Sequence, residues 1–291
     1  MSVIEFGVST HIVGSIIPEH HFALFARYGF SLVELNLGYF PFLEDEQKFQ
    51  RLRDLLVRNG IRVYSFHLPY GETVPSLGKM DISHPDPHVR RNTVGVIRLC
   101  LERLMALNAR CLVVHPSVGG MQDAEQTEQE ARLAYCLESL QQCQKIIKSL
   151  RSENRRGVPV QIALETLLPA SWISKAYDLC AILERLNSDS FGLCLDVNHI
   201  NLAGQNPIAF TRQIGSYVIT THLSDNNGIN EKHWIPGSGV IPWKEWLSAL
   251  VACGYPGPFM YETTQRKEVS DDETVAETRR NAEELSAMIK S

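Results

Sequence analysis

Six apolar runs in this sequence each close on a histidine or an acid: "SFHL" on His67, "LVVHP" on His115, "IALET" on Glu165, "GLCLDV" on Asp196, "ITTHL" on His222 and "FMYET" on Glu262. Another, "SLVELNL", carries Glu34 and Asn36. Singly these residues say little, because an acid at a strand end is often a helix N-cap and a lone histidine is usually a hydrogen-bonded structural residue. Six in succession need a common cause. Carboxylates brought close together repel and are driven to take up protons, whereas a divalent cation removes the repulsion and uses the same residue types as ligands. Glu165, Asp196, His222 and Glu262 form the best four-ligand set, three oxygen donors and one nitrogen donor from consecutive runs. That set favours one Mn²⁺, with Mg²⁺, Co²⁺ or Zn²⁺ as the other choices, and its open positions would take two adjacent substrate oxygens. No sulfur ligand is expected, since Cys194 lies two residues deeper than Asp196.

Such a cluster forms only if the chain gathers the ends of those runs at one place. Apolar, β-branched runs at residues 4–10, 31–37, 61–68, 110–116, 160–166, 191–197, 217–225 and 258–263 alternate with amphipathic segments near 18–29, 45–59, 87–108, 123–152, 172–187, 206–214, 242–253 and 271–289. Phe49, Leu52, Leu55 and Leu56 show the helical 3–4 spacing, and Trp172, Ile173, Ala176, Tyr177 and Cys180 repeat it. Strand–helix alternation repeated eight times over 291 residues predicts a (β/α)8 TIM barrel, one domain over residues 1–291. The alternative, a doubly wound open sheet, usually carries a glycine-rich first turn, which "STHIVGSIIPEH" lacks. In a barrel, side chains at the C-terminal ends of the strands converge around one axis. The long segment 71–88 is then a βα loop on that active face, and 151–159 an αβ loop.

A net charge of −5 gives no electrostatic footprint for nucleic acid. No apolar run is long enough to span a bilayer, and "MSVIEFGVST" lacks the pattern of a secretory leader. A cytoplasmic protein without nucleic-acid or membrane partners is expected. Its seven scattered cysteines are expected to be reduced thiols. Arg90 and Arg91 read as an exposed helical face, residues 271–285 as a solvated helix with Glu–Arg support, and Phe66 as core. His11 is placed to line a pocket and Trp234 to wall it. In "HLSDNNGINEKHWIPGSGVIPW" (222–243), Asp225 and Asn226 are suited to bond loop backbone, Pro242 to open a helix, and His233 to reach the cluster.

The segments "ALET", "LCLDVNH", "HLSDNNG", "EKH", "PGSGVIPW" and "YET" together resemble the xylose isomerase-like TIM-barrel superfamily, in order and over essentially the whole chain. The branch of sugar isomerases and epimerases implies that Glu165, Asp196, His222 and Glu262 bind one divalent metal. It further implies that Glu165 and Glu262 flank a sugar, sugar phosphate or keto-polyol as general acid and base. One removes the proton α to the carbonyl to leave a metal-bound enediolate. Returning it to the other face epimerises, and returning it to the adjacent carbon isomerises. His67, His115, His199, Glu231 and His233 would then be substrate-binding residues, and a homo-oligomer is left open. The alternatives are a keto-inositol dehydratase-type lyase and the endonuclease IV branch. The latter is a multi-zinc abasic-site nuclease whose ligands would include His67, His115, His199 and an Asp-x-His pair, here Glu231-Lys232-His233. Three features count against DNA: the negative charge, Val197-Asn198 where the nucleases resemble Asp-Thr-Cys-His, and "NNG" after Asp225 where they carry a Ser-Lys-containing loop.

Overall fold

A computed structural model describes residues 4–120, 126–153, 158–168, 170–264 and 268–290. The eight apolar runs become strands β1 (Phe6–Ser9), β2 (Leu32–Leu35), β3 (Arg62–His67), β4 (Cys111–Val114), β5 (Gln161–Glu165), β6 (Phe191–Asp196), β7 (Val218–His222) and β8 (Phe259–Tyr261). All paired neighbours are parallel, in the order β7-β6-β5-β4-β3-β2-β1-β8. The ring closes where Leu223 N donates to Met260 O (2.8 Å) and Glu262 N donates to Leu223 O (3.1 Å). The chain is therefore a (β/α)8 barrel rather than an open sheet.

The surrounding helices are α1 (Pro18–Arg27), α2 (Phe40–Glu44), α3 (Glu46–Asn59), α4 (Pro87–Ala106), α5 (Gln126–Glu153), α6 (Ala176–Leu186), α7 (Val197–Leu202), α8 (Pro207–Ile214), α9 (Trp243–Ala252) and α10 (Asp271–Lys290). Local signals set their ends. Asp45 Oδ1 accepts from Lys48 N (2.8 Å) to cap α3, which stops at Gly60 in the left-handed region (φ 64°). Asp86 and Asn206 cap α4 and α8, each followed by proline. As the 3–4 spacing predicts, α3 buries Phe49, Leu52, Leu55 and Leu56 against the barrel.

Several expectations need correction. The segment at 172–187 is helical only from Ala176, because Trp172 and Ile173 are buried in the preceding loop and Ile173 N donates to Ser117 Oγ (3.0 Å). Two short helices, α2 and α7, were not expected. Arg90 is buried, not exposed: its guanidinium donates to His84 O (2.8 Å), Pro85 O (3.0 Å) and Glu138 (2.9 Å), tying the long loop after β3 to α4 and α5. The helix expected from 123 is seen from Gln126 onward; residues 121–125 lie outside the described ones, as do 154–157 of the expected αβ loop. α10 has an Arg279–Glu283 pair (3.2 Å) on its outer face but buries Val275, Ala282 and Leu285 on the other. Phe66 is core, and the cysteines are free thiols among the described residues. No described helix is long and apolar enough to cross a membrane.

The barrel interior is filled below the site by Cys111, Val113, Ala163 and Cys194, with Tyr64 and Ile219 packed against them. The last two mark irregularities. Val33 pairs with Val63 but Glu34 with Ser65, so Tyr64 is an extra residue in β3. Likewise Leu193 pairs with Val218 but Cys194 with Thr220, leaving Ile219 extra in β7. Each bulge re-aims the strand just before its histidine, His67 or His222, a common use of bulges beside active sites. Tyr64 Oη donates to Ile219 O (2.7 Å), which joins the two bulges across the barrel. The β7 bulge requires a neighbour without a side chain, because a Cβ on Gly192 would lie 2.7 Å from Ile219 Cγ2 and 2.9 Å from Tyr217 O. Gly192→Ala is accordingly expected to destabilise the barrel by about 1–3 kcal/mol in urea denaturation, and an unchanged midpoint would contradict this close approach.

Candidate metal and active site

The barrel brings the strand-end residues together. His67, Glu165, Asp196 and His222 are the last residues of β3, β5, β6 and β7, while His115 and Glu262 lie just beyond β4 and β8. Glu165, Asp196, His222 and Glu262 each offer a ligand atom within 4.8 Å of all the others. His222 is the hub. Its Nδ1 lies 3.1 Å from Glu165 Oε1, 3.2 Å from Glu262 Oε2 and 3.8 Å from Asp196 Oδ2.

"DVNH" does two jobs at once. Asp196 Oδ1 accepts from His199 N (3.1 Å), so this acid is indeed a helix N-cap, and it starts α7. The other oxygen, Oδ2, is buried without a hydrogen-bond partner among the described residues. Burial, together with the neighbouring carboxylates, raises the Asp196 carboxyl to about 6 against the pull of His199 and His222. Burial also opposes ionisation of Glu165 and Glu262, but the adjacent imidazoles outweigh it and hold both well below the usual carboxylate range. His222 leads in each case, with His115 aiding Glu165.

Five more polar groups rim the cluster. His67 Nε2 and His115 Nε2 both lie 3.0 Å from Glu165 Oε2. His67 Nδ1 donates to Leu68 O (3.0 Å), so its ring faces an acceptor at each nitrogen. The same is true of His199, between Thr166 O (2.9 Å) and Glu231 Oε1 (3.4 Å), and of His233, between Glu262 O (2.9 Å) and Glu231 Oε1 (3.2 Å). Such rings keep both protons. Burial lowers all three pKa values, yet the facing acids lift His67 to about 8, His233 to about 9 and His199 to about 10. His115, by contrast, is lowered by its burial.

These charges test whether a cation suits the site. Glu34, Glu165, Asp196, Glu231 and Glu262 bring five carboxyl groups together, and the doubly bonded rings of His67, His199 and His233 supply three positive charges. In the metal-free site His222 also has acids at both nitrogens and is held well above the ordinary imidazole range, so its ring supplies a fourth, and the free oxygen of Asp196 still lacks a partner. A divalent cation bound by Glu165, Asp196, Glu262 and His222 would displace the Nδ1 hydrogen, and its two charges with the three remaining rings would match the five carboxyl groups, through hard oxygen donors and one nitrogen. The residues present therefore fit such an ion.

Above the cluster is a cavity of about 270 Å³. His67, His115, Glu165, His199, Glu231, His233 and Glu262 line it. His11 and Asn36 contribute as well, and Leu37, Tyr70, Val118, Leu167 and Leu168 form an apolar wall. Tyr70, which the sequence did not single out, stacks on His115 (centroids 3.9 Å apart, planes 19°). Trp234 does not line the cavity; its backbone pairs with that of Asp225. The Asp225 carboxylate is buried and accepts from Asn226 N (2.9 Å), Gly237 N (2.9 Å), Gly239 N (3.0 Å), Ile241 N (3.3 Å) and Trp243 Nε1 (2.8 Å), pinning the loop that carries Glu231 and His233. Gly239 has no room for a Cβ, which would sit 2.1 Å from Asn226 O. Asn198 Nδ2 donates to Lys232 O (2.6 Å), fixing the same loop from α7.

Residues 22–290 match the family described as xylose isomerase-like TIM barrel, and the chain belongs to that family. Among curated proteins it is 24% identical over 243 residues to D-psicose 3-epimerase of Ruminiclostridium cellulolyticum, covering 81% of this chain and 75% of that one. It is 32% identical over 104 residues to protein y4fM of Sinorhizobium fredii, spanning 36% of this chain and only 33% of that protein's length. A crystal structure of D-psicose 3-epimerase with D-tagatose from Clostridium cellulolyticum superposes with a TM-score of 0.79 at 19% identity, covering 98% of this chain and 99% of that one. That likeness is one of fold.

The histidine pairs also set a pH dependence. In the folded, metal-free protein, His67, His199 and His233 keep their protons above the ordinary imidazole range, so their contribution to stability is complete below about pH 6.5. It is lost as pH rises through the folded values of about 8, 9 and 10. In chelator, the unfolding midpoint by scanning fluorimetry is expected to fall steadily from pH 7 to pH 10. A flat profile over that window would contradict the pairing.

Proposed function

We propose that this chain is a divalent-metal-dependent epimerase or isomerase of a sugar or keto-polyol, with Glu165 and Glu262 as its proton-transfer groups. The observation that carries this reading is the pair itself: two carboxylates, each within 3.2 Å of His222 Nδ1, lining one small cavity above a four-residue cluster that could hold a cation. The naming of a relative and of a structural neighbour as D-psicose 3-epimerase supports it.

Glu165, Asp196, His222 and Glu262 would hold the ion, Mn²⁺ being the first choice. When bound, it would supply Lewis acidity to a carbonyl oxygen and to the hydroxyl oxygen on the next carbon, acidifying the C–H of that hydroxyl-bearing carbon. One carboxylate would take that proton on its Oε atom and later return it to solvent, and the other, carrying a proton taken up from solvent, would deliver it. Delivery to the other face of the same carbon epimerises, and delivery to the neighbouring carbon isomerises. His67 and His115 hold the Oε2 side of Glu165. Together with His199, Glu231 and His233 they present hydrogen-bonding groups to sugar hydroxyls, while Tyr70 and the leucines keep water from the reacting carbon.

A second reading rests on one further observation: His67, His115 and Glu165 also offer ligand atoms within 4.8 Å of one another. Two or three zinc ions across this rim would make a phosphodiester-cleaving nuclease. One experiment separates the two. With Mn²⁺ or Co²⁺ added, solvent exchange of a ketose C–H proton is expected and should drop at least about 10²-fold in Glu165→Gln and Glu262→Gln. Elemental analysis should then find one metal per chain. No exchange across a broad ketose panel with any metal, with two or three zincs bound and an abasic duplex cleaved, would replace this reading with the nuclease.

A further inference from the structure

The second strand carries a buried acid that no step above uses. Glu34 sits on β2, across the barrel from β7, and is wholly buried. Its Oε1 and Oε2 lie 3.1 and 3.3 Å from His222 Nε2. Ser65 Oγ donates to Oε2 (2.7 Å), which anchors the carboxyl group from β3. Ser65 reaches it because the extra residue Tyr64 shifts β3 so that Ser65, not Tyr64, pairs with Glu34.

We propose that Glu34 is the positioning residue that commits His222 to one tautomer, with its proton on Nε2 and its Nδ1 lone pair aimed at the cation site. The inference rests on the metal-site reading given above and deepens it. A carboxylate only accepts hydrogen bonds, so the ring nitrogen facing Glu34 carries the hydrogen. Without a cation Nδ1 also faces carboxylate oxygens and carries a hydrogen; a cation at the site would displace that hydrogen while Glu34 keeps the one on Nε2, and Nδ1 would then be the ligating atom beside Glu165, Glu262 and Asp196. A carboxylate on the far nitrogen of a ligating histidine also fixes the ring plane and makes the near nitrogen more basic. Without Glu34, the ring could carry its proton on Nδ1, which has three carboxylates within reach, and the donor atom would then point away from the site. Ser65 restrains the carboxyl group, and the β3 bulge places Ser65. Metal affinity would therefore depend on the strand irregularity that places Ser65, two hydrogen bonds from His222.

The test reads metal binding and ring protonation, not turnover. Zn²⁺ and Mn²⁺ affinities are measured by competition with a chelator in wild type, Glu34→Gln and Ser65→Ala. Long-range ¹H–¹⁵N spectra of histidine-labelled protein, with the His222 signals assigned by their loss in His222→Gln, report which nitrogen bears hydrogen with Zn²⁺ bound. Expected are hydrogen on Nε2 in wild type, an affinity loss of about 10- to 100-fold in Glu34→Gln and a smaller loss, beyond twofold, in Ser65→Ala. Affinities within twofold of wild type in both variants, or a zinc-loaded wild type with hydrogen on Nδ1, would overturn the role of Glu34. Wild-type protein that binds neither ion would instead overturn the metal-site reading, so the two failures are distinct.

Discussion

Buried charge must be compensated, and here one ring nitrogen concentrates the problem. His222 Nδ1 faces carboxylates from three other strands within 3.1–3.8 Å, in an interior where unpaired charge costs several kcal/mol. The surrounding histidines resolve part of it: three are held between a carbonyl and an acid, and each keeps both protons. His222, with acids at both nitrogens, carries a further charge, yet one Asp196 oxygen is left that nothing described satisfies. A divalent cation at the proposed site would satisfy that oxygen, and the same ion would supply the Lewis acidity of the proposed reaction. Structure and chemistry thus share a single electrostatic requirement.

The barrel meets that requirement with unequal parts. Strand ends bring the ligands close, but bulges at Tyr64 and Ile219 set their aim. Asp225 gathers four donors from one loop and a fifth from Trp243 of α9 so that Glu231 and His233 stand at the rim, and Asn198 fastens that loop from α7. In Asp196, helix capping takes one oxygen and leaves the other facing the proposed cation site. These features tie down the mouth of the barrel around the proposed site, while Leu37, Tyr70, Val118, Leu167 and Leu168 form the apolar side of the cavity above.

Much of this was legible in the residues. Eight apolar runs with helical segments between them fix a barrel, and a barrel turns six scattered strand-end residues into one neighbourhood. What escaped had physical reasons. The link between Glu34 and His222 joins residues 188 positions apart, and only the β3 bulge sets its register. Trp172 and Ile173 follow helical spacing, yet the same spacing serves a buried loop. Arg90 read as surface because an arginine bound to two carbonyls and a glutamate cannot be recognised without the loop that supplies them. At the start of α7 the cap uses one Asp196 oxygen and leaves the other free, so the two readings of an acid at a strand end are not exclusive.

Occupancy of the four-residue site by a divalent cation is the claim on which the rest turns, and Co²⁺ absorption reads it most directly. Titration of the metal-free protein should develop visible ligand-field bands that saturate at one equivalent, and Asp196→Asn and His222→Gln should each remove them or weaken the binding severely. Bands that persist with unchanged affinity in both variants would place the ion elsewhere and contradict the account.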